Sequence, residues 1–326
     1  MRRMLVTGGS GFLGSNAVRA LAAHPGVELV VSGDVRPPAA SAPDGVVVET
    51  CDVTDAPTVA AVVERHAIDT IVHLAAIVNP GGLSEEVERR VDVDGTRNVL
   101  DAAVANGVTR IVVSSSGAAY GYHADSPEWL TEDDAIRGNE AFSYSRHKRL
   151  VEEMLAAYRA EHPELGQVVL RIGTILGPSV SNQITALWEG RRILKIRGSE
   201  SPFVFIWVDD VVGAIVQGAT GDVTGAFNVA GDGRVTVSEI AEAFGTPTLE
   251  LSPGLLAGAL RVGHALRLTV HDANRVGFLQ YRPVLDNARL KRVLGYTPAK
   301  TSREAFDAYL AARHPELASN SAPRLG

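Results

Sequence analysis

The sequence predicts an α/β fold, a doubly wound parallel sheet with helices on both faces and a smaller mixed region toward the C-terminus. Three observations carry that expectation. Short runs rich in Val, Ile and Thr alternate with longer helical patterns through the first half. Those runs are apolar throughout, as strands covered on both faces are. The rhythm then breaks at two Gly/Pro/Ser-rich stretches, residues 173–181 and 199–202.

In order, residues 4–6 form the first strand and a helix runs over about 11–23. Strands follow at 28–32, 46–50, 70–73, 110–114 and 167–171, with helices between most of them and right-handed crossovers joining them. Beyond the first break, 203–208 and 226–229 read as further strands, and 238–244 and 289–294 as helices. The stretch 253–268 reads as a core-packed helix with snorkelling arginines, or as a lid over an apolar substrate. The chain thus divides into a domain over 1–173, with strand returns near 203–231, and a smaller substrate-binding region over 174–202 and 232–326. Its last residues, 319–326, are expected to fray.

The chain's 326 residues suffice for a sizeable core, and 45% hydrophobic with 21% charged residues is an ordinary globular balance. A formal charge of −7 without a basic cluster argues against nucleic acid or an anionic membrane as partner. The single cysteine, Cys51, excludes an intrachain disulfide and reads as a buried apolar residue. His264 and His271 have no ligands at metal spacing, so no metal is expected. The apolar run after Met1-Arg2-Arg3 stops at Gly8, and none approaches the roughly 18 residues of a membrane span. A cytoplasmic location is expected.

Thr7-Gly8-Gly9-Ser10-Gly11-Phe12-Leu13-Gly14 follows the first strand and opens the first helix. Gly9, Gly11 and Gly14 satisfy G-x-G-x-x-G, in which glycines permit a tight turn and let backbone approach a pyrophosphate at a helix N-terminus. Asp34 stands twenty residues past Gly14 at the end of the second strand, where it can accept from ribose hydroxyls and repel a 2′-phosphate. That favours NAD over NADP. Arg36, which could receive the phosphate, keeps NADP as the alternative. Asp52-Val53 follows the third strand; Asp52 in that loop suits an adenine contact, or a turn or cap. His73-Leu74-Ala75-Ala76 ends the fourth, where small residues suit a cofactor as well as simple packing.

Tyr144 and Lys148 are four apart and so share one face of a helix, one turn apart. A nearby ammonium favours the phenolate over the phenol, which otherwise ionises near pH 10. A tyrosine tuned in this way can exchange a proton with an alcohol or carbonyl oxygen. Ser114-Ser115-Ser116 sits at a strand end, where open α/β sheets bind ligands, and a serine hydroxyl there can hold the reacting oxygen in line.

These motifs resemble the extended short-chain dehydrogenase/reductase family, also called the NAD-dependent epimerase/dehydratase family. The resemblance covers most of the chain. It runs from Thr7–Gly14 through Asp34, Asp52-Val53, His73 to Ala76, Ser116, Ala119-Tyr120-Gly121, Tyr144 and Lys148. It continues through Phe205 to Val211, Phe227 to Gly231 and Leu294 to Pro298. It implies a Rossmann-type sheet and a homodimer packed through helices at about 144–160 and 94–106. It makes Tyr144 the general acid/base, Lys148 the partner of the nicotinamide ribose and Ser116 the holder of the substrate oxygen. Gly8, Gly11, Phe12, Leu13, Gly14, Asp34, Arg36, Asp52, Val53, Leu74, Ala75 and Ala76, with Tyr144 and Lys148, would hold NAD. Ser116, Gly117, Ala118, Tyr144, Thr174 and Trp207 would line the substrate.

The departures bear on substrate. Gly117-Ala118 follows Ser116 where family dehydratases carry an acidic pair, so elimination is not expected. Thr174 stands where nucleotide-sugar epimerases have asparagine. The start of the 203–208 strand lacks their arginine, although Arg191, Arg192 and Arg197 are near in sequence. Phe203, Phe205 and Trp207 would suit an apolar substrate if they formed a wall, but the same face can be core. Asp92 replaces a common asparagine, without a role that sequence supplies. The expectation is a dehydrogenase or ketoreductase acting on a small, fairly apolar substrate. An epimerase that retains its cofactor and a non-catalytic dinucleotide sensor are the alternatives.

Overall fold

The computed structural model describes residues 1–318 apart from 79–81, 181, 183, 189 and 266–274. Strands β1 (Arg2–Thr7), β2 (Val27–Asp34), β3 (Val46–Thr50), β4 (Thr70–His73), β5 (Arg110–Ser116) and β6 (Gly166–Ile172) build a sheet. The chain leaves it for β7 (Thr174–Leu176), β8 (Ile193–Ile196) and β9 (Phe205–Trp207), and returns as β10 (Gly225–Val229). The spatial order is β3-β2-β1-β4-β5-β6-β10, parallel at every pairing. This is the expected doubly wound, Rossmann-type sheet, with strand order reversing about β1.

Continuous apolar strands feed two cores, because alternate side chains point to opposite faces. Leu5, Val31, Ile71, Ile111, Val113 and Val169 pack on one face with residues of α2 (Ala56–Arg65), α4 (Gly95–Ala105) and α5 (Ser143–Glu161). Met4, Val6, Val30, Val72, Val112 and Val168 pack on the other with α1 (Phe12–Ala22) and α6 (Val208–Thr220). Each such side chain contributes about 1.5–3 kcal/mol through the water it sheds. Helix α3 (Glu85–Arg89) leads through a π-helical turn, Arg90–Asp94, into α4.

A third core joins β7, β9, α7 (Val237–Phe244) and α10 (Ser302–Arg313). Phe203 and Phe205 stack there at 5.4 Å, with the Trp188 ring edge-on to both. Both phenylalanines are buried, so they are core and not a substrate wall. Strand β11 (Thr248–Leu251) pairs with β8, and α8 (Pro253–Ala265), α9 (Arg275–Gln280) and α11 (Pro315–Ala318) complete the described elements. The side chain of His264, all of Arg267 and His271, and residues 319–326 lie outside the described residues.

Several features depart from the sequence expectation, among them the paired strands β8 and β11. The break at 173–181 contains β7, three residues long, held against β9 by pairing too short to leave a periodic signal. The 289–294 helix is a π-helical turn, Leu290–Leu294, and α10 was not anticipated. Among the described residues, no helix is long and apolar enough to cross a membrane.

Helix α7 begins with a capping box, in which the Thr236 hydroxyl accepts from Glu239 N–H and the Glu239 carboxylate accepts from Thr236 N–H. Thr236→Ala is expected to cost about 1 kcal/mol by leaving a helix-end donor unpaired, read as a lower urea midpoint at unchanged slope.

Candidate active site

Between β1 and α1 the chain turns through its glycines. Gly8 has φ 69°, and a Cβ there would meet Ala75 N at 2.8 Å and the Leu74 carbonyl carbon at 3.0 Å. A Cβ on Gly14 would fall on the Gly8 carbonyl. Helix α1 starts after Gly11 with no side-chain cap and no acidic residue in its first turn, so the amides of Phe12 and Leu13 begin an uncapped, electropositive helix end. Leu74 N–H donates to Thr7 O, which ties the end of β4 to this turn.

The Asp34 carboxylate sits beside the turn, accepting from Ser10 N–H and Arg36 N–H at 3.1 Å each. The exposed Arg36 guanidinium leans toward it, 3.9 Å away. Asp52 accepts twice from Thr54, through its N–H and hydroxyl, at the mouth of the third strand. Val53 is buried against Gly95, and its carbonyl accepts from Asn98. Cys51 is buried as expected, and burial pushes its thiol up to about 11. An uncapped helix end, a backbone that excludes side chains and a carboxylate at the end of β2 fit a dinucleotide.

His73, at the end of β4, joins the turn to α4. Thr96 donates its hydroxyl proton to Asp92 O, so its oxygen accepts from His73 Nε2–H at 3.0 Å, and His73 Nδ1 in turn accepts from the Thr7 hydroxyl at 2.7 Å. Burial, and then the Lys148 charge, push His73 down to about 4. A histidine depressed in the native state leaves stability intact above its unfolded value near 6.5 and removes it as pH falls toward 4. The wild type should lose up to about 3 kcal/mol to this group across that window. In urea titrations from pH 7 to pH 4, His73→Gln should lack this component and show the shallower acid decline.

The end of β5 faces α5. Lys148 is buried, and its ammonium donates to Ser114 O at 3.0 Å while lying 5.7 Å from the Tyr144 ring centroid. The Ser116 hydroxyl oxygen accepts from Ala118 N–H, which leaves its proton to donate elsewhere. Gly117 and Ala118 are buried, and Ala118 O accepts from the Ser145 hydroxyl, tying this turn to the start of α5. Ser116 and Tyr144 remain partly exposed.

Beside Tyr144 lies an aromatic array that the sequence did not reveal. Phe142 is 6.2 Å from Tyr144, and Phe142, Tyr122 and Phe278 approach one another at 4.9–5.8 Å. No spacing rule joins residues 122, 142 and 278. Two predicted substrate residues fall elsewhere in their contacts: Thr174 starts β7 opposite Phe205, and Trp207 packs on the third core, its indole N–H bonded to Asp209 and Lys300 over its ring. Of the three arginines near that strand in sequence, Arg191 and Arg192 are exposed and Arg197 pairs with Glu250.

The chain is 29% identical over 334 residues to a dTDP-glucose 4,6-dehydratase of Streptomyces griseus, covering 95% of this chain and 94% of that protein. That likeness gives no support to setting dehydratases aside. A 122-residue stretch is 42% identical to a 3 beta-hydroxysteroid dehydrogenase/Delta 5-->4-isomerase of Mycobacterium tuberculosis, 36% of this chain and 32% of that one. The solved structure of MoeE5 in complex with UDP-glucuronic acid and NAD is similar at 27% identity and TM-score 0.71, over 98% of this chain and all of that one. The model of the NAD dependent epimerase/dehydratase family matches residues 4–230, most of the chain and every motif named above as far as Ala230. The chain belongs to the NAD dependent epimerase/dehydratase family.

Proposed function

We propose that the chain is an NAD-linked oxidoreductase that acts at a secondary alcohol or ketone carbon of a small substrate with a fairly apolar body. The observation that carries this reading is Lys148, buried and fixed to Ser114 O one helical turn from Tyr144. NAD, when bound, accepts or returns a hydride. The uncapped start of α1 would bind its pyrophosphate, and the Asp34 carboxylate its adenosine ribose. Lys148 holds a positive charge beneath Tyr144, whose hydroxyl gives or takes the proton of the reacting oxygen. Ser116, whose oxygen accepts from Ala118 N–H, would donate its proton to the same atom. Tyr122, Phe142 and Phe278 offer the apolar surface. Neither Gly117 nor Ala118 has a side chain that could assist elimination.

A second reading, an epimerase that retains NAD, is favoured by the likeness to MoeE5, whose structure holds a nucleotide sugar with NAD. The absorbance spectrum of the purified protein and titrations with NAD and NADP test both. Tight NAD binding with stoichiometric NADH formation on addition of an alcohol substrate supports the dehydrogenase. Co-purified NAD and turnover without net NADH mark the epimerase. Preference for NADP would mean that Arg36 outweighs Asp34 and would overturn the cofactor assignment.

A further inference from the structure

Asp92, on the turn between α3 and α4, has a buried partner on the helix that carries Tyr144 and Lys148. Its Oδ1 accepts from Ile77 N–H at 2.8 Å, in the loop that leaves β4 just beyond Leu74 and Ala75. Its Oδ2 lies 3.7 Å from His147 Nδ1, and each side chain is only 1% exposed. Asp92 Oδ2 and both ring nitrogens of His147 have no hydrogen-bond partner. At 3.7 Å the two groups are in ion-pair range but beyond a good hydrogen bond.

A bare carboxylate beside a neutral ring would leave three polar atoms and one charge uncompensated in the interior, which is costly. A proton on the pair removes the charge. The surroundings favour that state. The other buried titratable groups on the elements packed here are His73 on β4, Arg110 on β5, Glu88 on α3, and Lys148 and Glu152 on α5, and α5 also carries the half-buried Tyr144, Arg146 and Arg149. His73 already has both nitrogens engaged, and Glu88 accepts from the Ser143 hydroxyl. Glu152 pairs with Arg171, Arg149 with Glu140 and Glu153, and the Lys148 ammonium donates to Ser114 O, so His147 is the group left in ion-pair range of Asp92. Nearby surface charges pair among themselves, Arg146 with Glu85 and Arg89 with Asp94.

We infer that Asp92 and His147 share one proton and act as positioning residues, clamping the Tyr144/Lys148 helix to the cofactor-side loop through Ile77 N–H. Asparagine at 92 could keep the Ile77 bond but would strip His147 of its counter-charge. Glutamine at 147 would strip Asp92 of its own. The two identities therefore belong together, and the aspartate that sequence left without a role acquires one.

The test is a double-variant cycle on the full chain, read as NAD affinity by titration calorimetry and as thermal midpoint. Asp92→Asn and His147→Gln should each weaken NAD at least fivefold, and Asp92→Asn with His147→Gln should return to within twofold of wild type. Nitrogen-15 shifts of the His147 ring should show imidazolium at neutral pH in the wild type. Should a single variant fail to fold, a double variant that folds and binds NAD within twofold of wild type supports the pairing equally. Singles that bind NAD as wild type does, single effects that simply add in the double, a double no more stable than the singles, or a neutral wild-type ring would each overturn the inference.

Discussion

Tyr144→Phe is expected to lower turnover by about 10²–10⁴-fold, the usual contribution of a positioned acid/base group, while NAD affinity changes by less than about threefold. The asymmetry follows from geometry. The turn that would hold the pyrophosphate is built by Gly8, Gly14 and the start of α1, and the ribose carboxylate by Asp34, none of which contacts the Tyr144 ring. The phenol is partly exposed, and its ring neighbours are Phe142 and the Lys148 ammonium, which phenylalanine would still meet. Folding should therefore survive with the midpoint near that of the wild type. NADH formation with a substrate the wild type oxidises, measured beside calorimetric titration of NAD, separates the outcomes. Turnover lost with binding kept supports the acid/base role. Loss of both would make Tyr144 structural, and loss of neither would favour a dinucleotide sensor.

The parts of this arrangement that sequence made legible are those set by neighbours along the chain. Gly8 to Gly14, with a strand before and a helix after, announce a turn whose glycines are forced by contacts within a few residues and by one strand end. Tyr144 and Lys148 lie one turn apart on a helix, as their spacing required. The strands of the sheet announce themselves because burial on both faces leaves uninterrupted apolar runs. What sequence did not yield depends on distant partners. Phe278 reaches Tyr122 and Phe142 across more than a hundred residues. Phe203 and Phe205 face Trp188 and Phe306, so periodicity alone could not decide between wall and core. Asp92 takes its meaning from His147, and β7 from β9. One signal was available and unused: Glu152 continues the spacing of Tyr144 and Lys148 by one more turn.

Glu152→Ala is expected to cost about 3–5 kcal/mol, because it strands a buried cation. Successive residues of β5 meet successive turns of α5: Ser114 O accepts from Lys148, and the Ser115 hydroxyl donates to Glu152 Oε1 at 2.5 Å. Glu152 Oε2 also pairs with Arg171 of β6, at 2.8 Å from Nη2 and 3.0 Å from Nε. Arg171 in turn donates to the Tyr120 hydroxyl at 2.8 Å and lies 4.9 Å from that ring, so its charge is committed to this interior. Glu152 and Arg171 are both less than a tenth exposed, so the guanidinium left behind stays in the interior. The pair thus fixes how far α5 can slide or rotate along β5, and with it where Lys148 and Tyr144 stand relative to Ser116. Urea unfolding of Glu152→Ala measures the cost. Glu152→Met combined with Arg171→Met, which removes both charges and keeps volume, should recover most of it. A double variant as unstable as Glu152→Ala would assign the loss to packing, and a single variant within about 1 kcal/mol of wild type would mean that the helix is held by its apolar face alone.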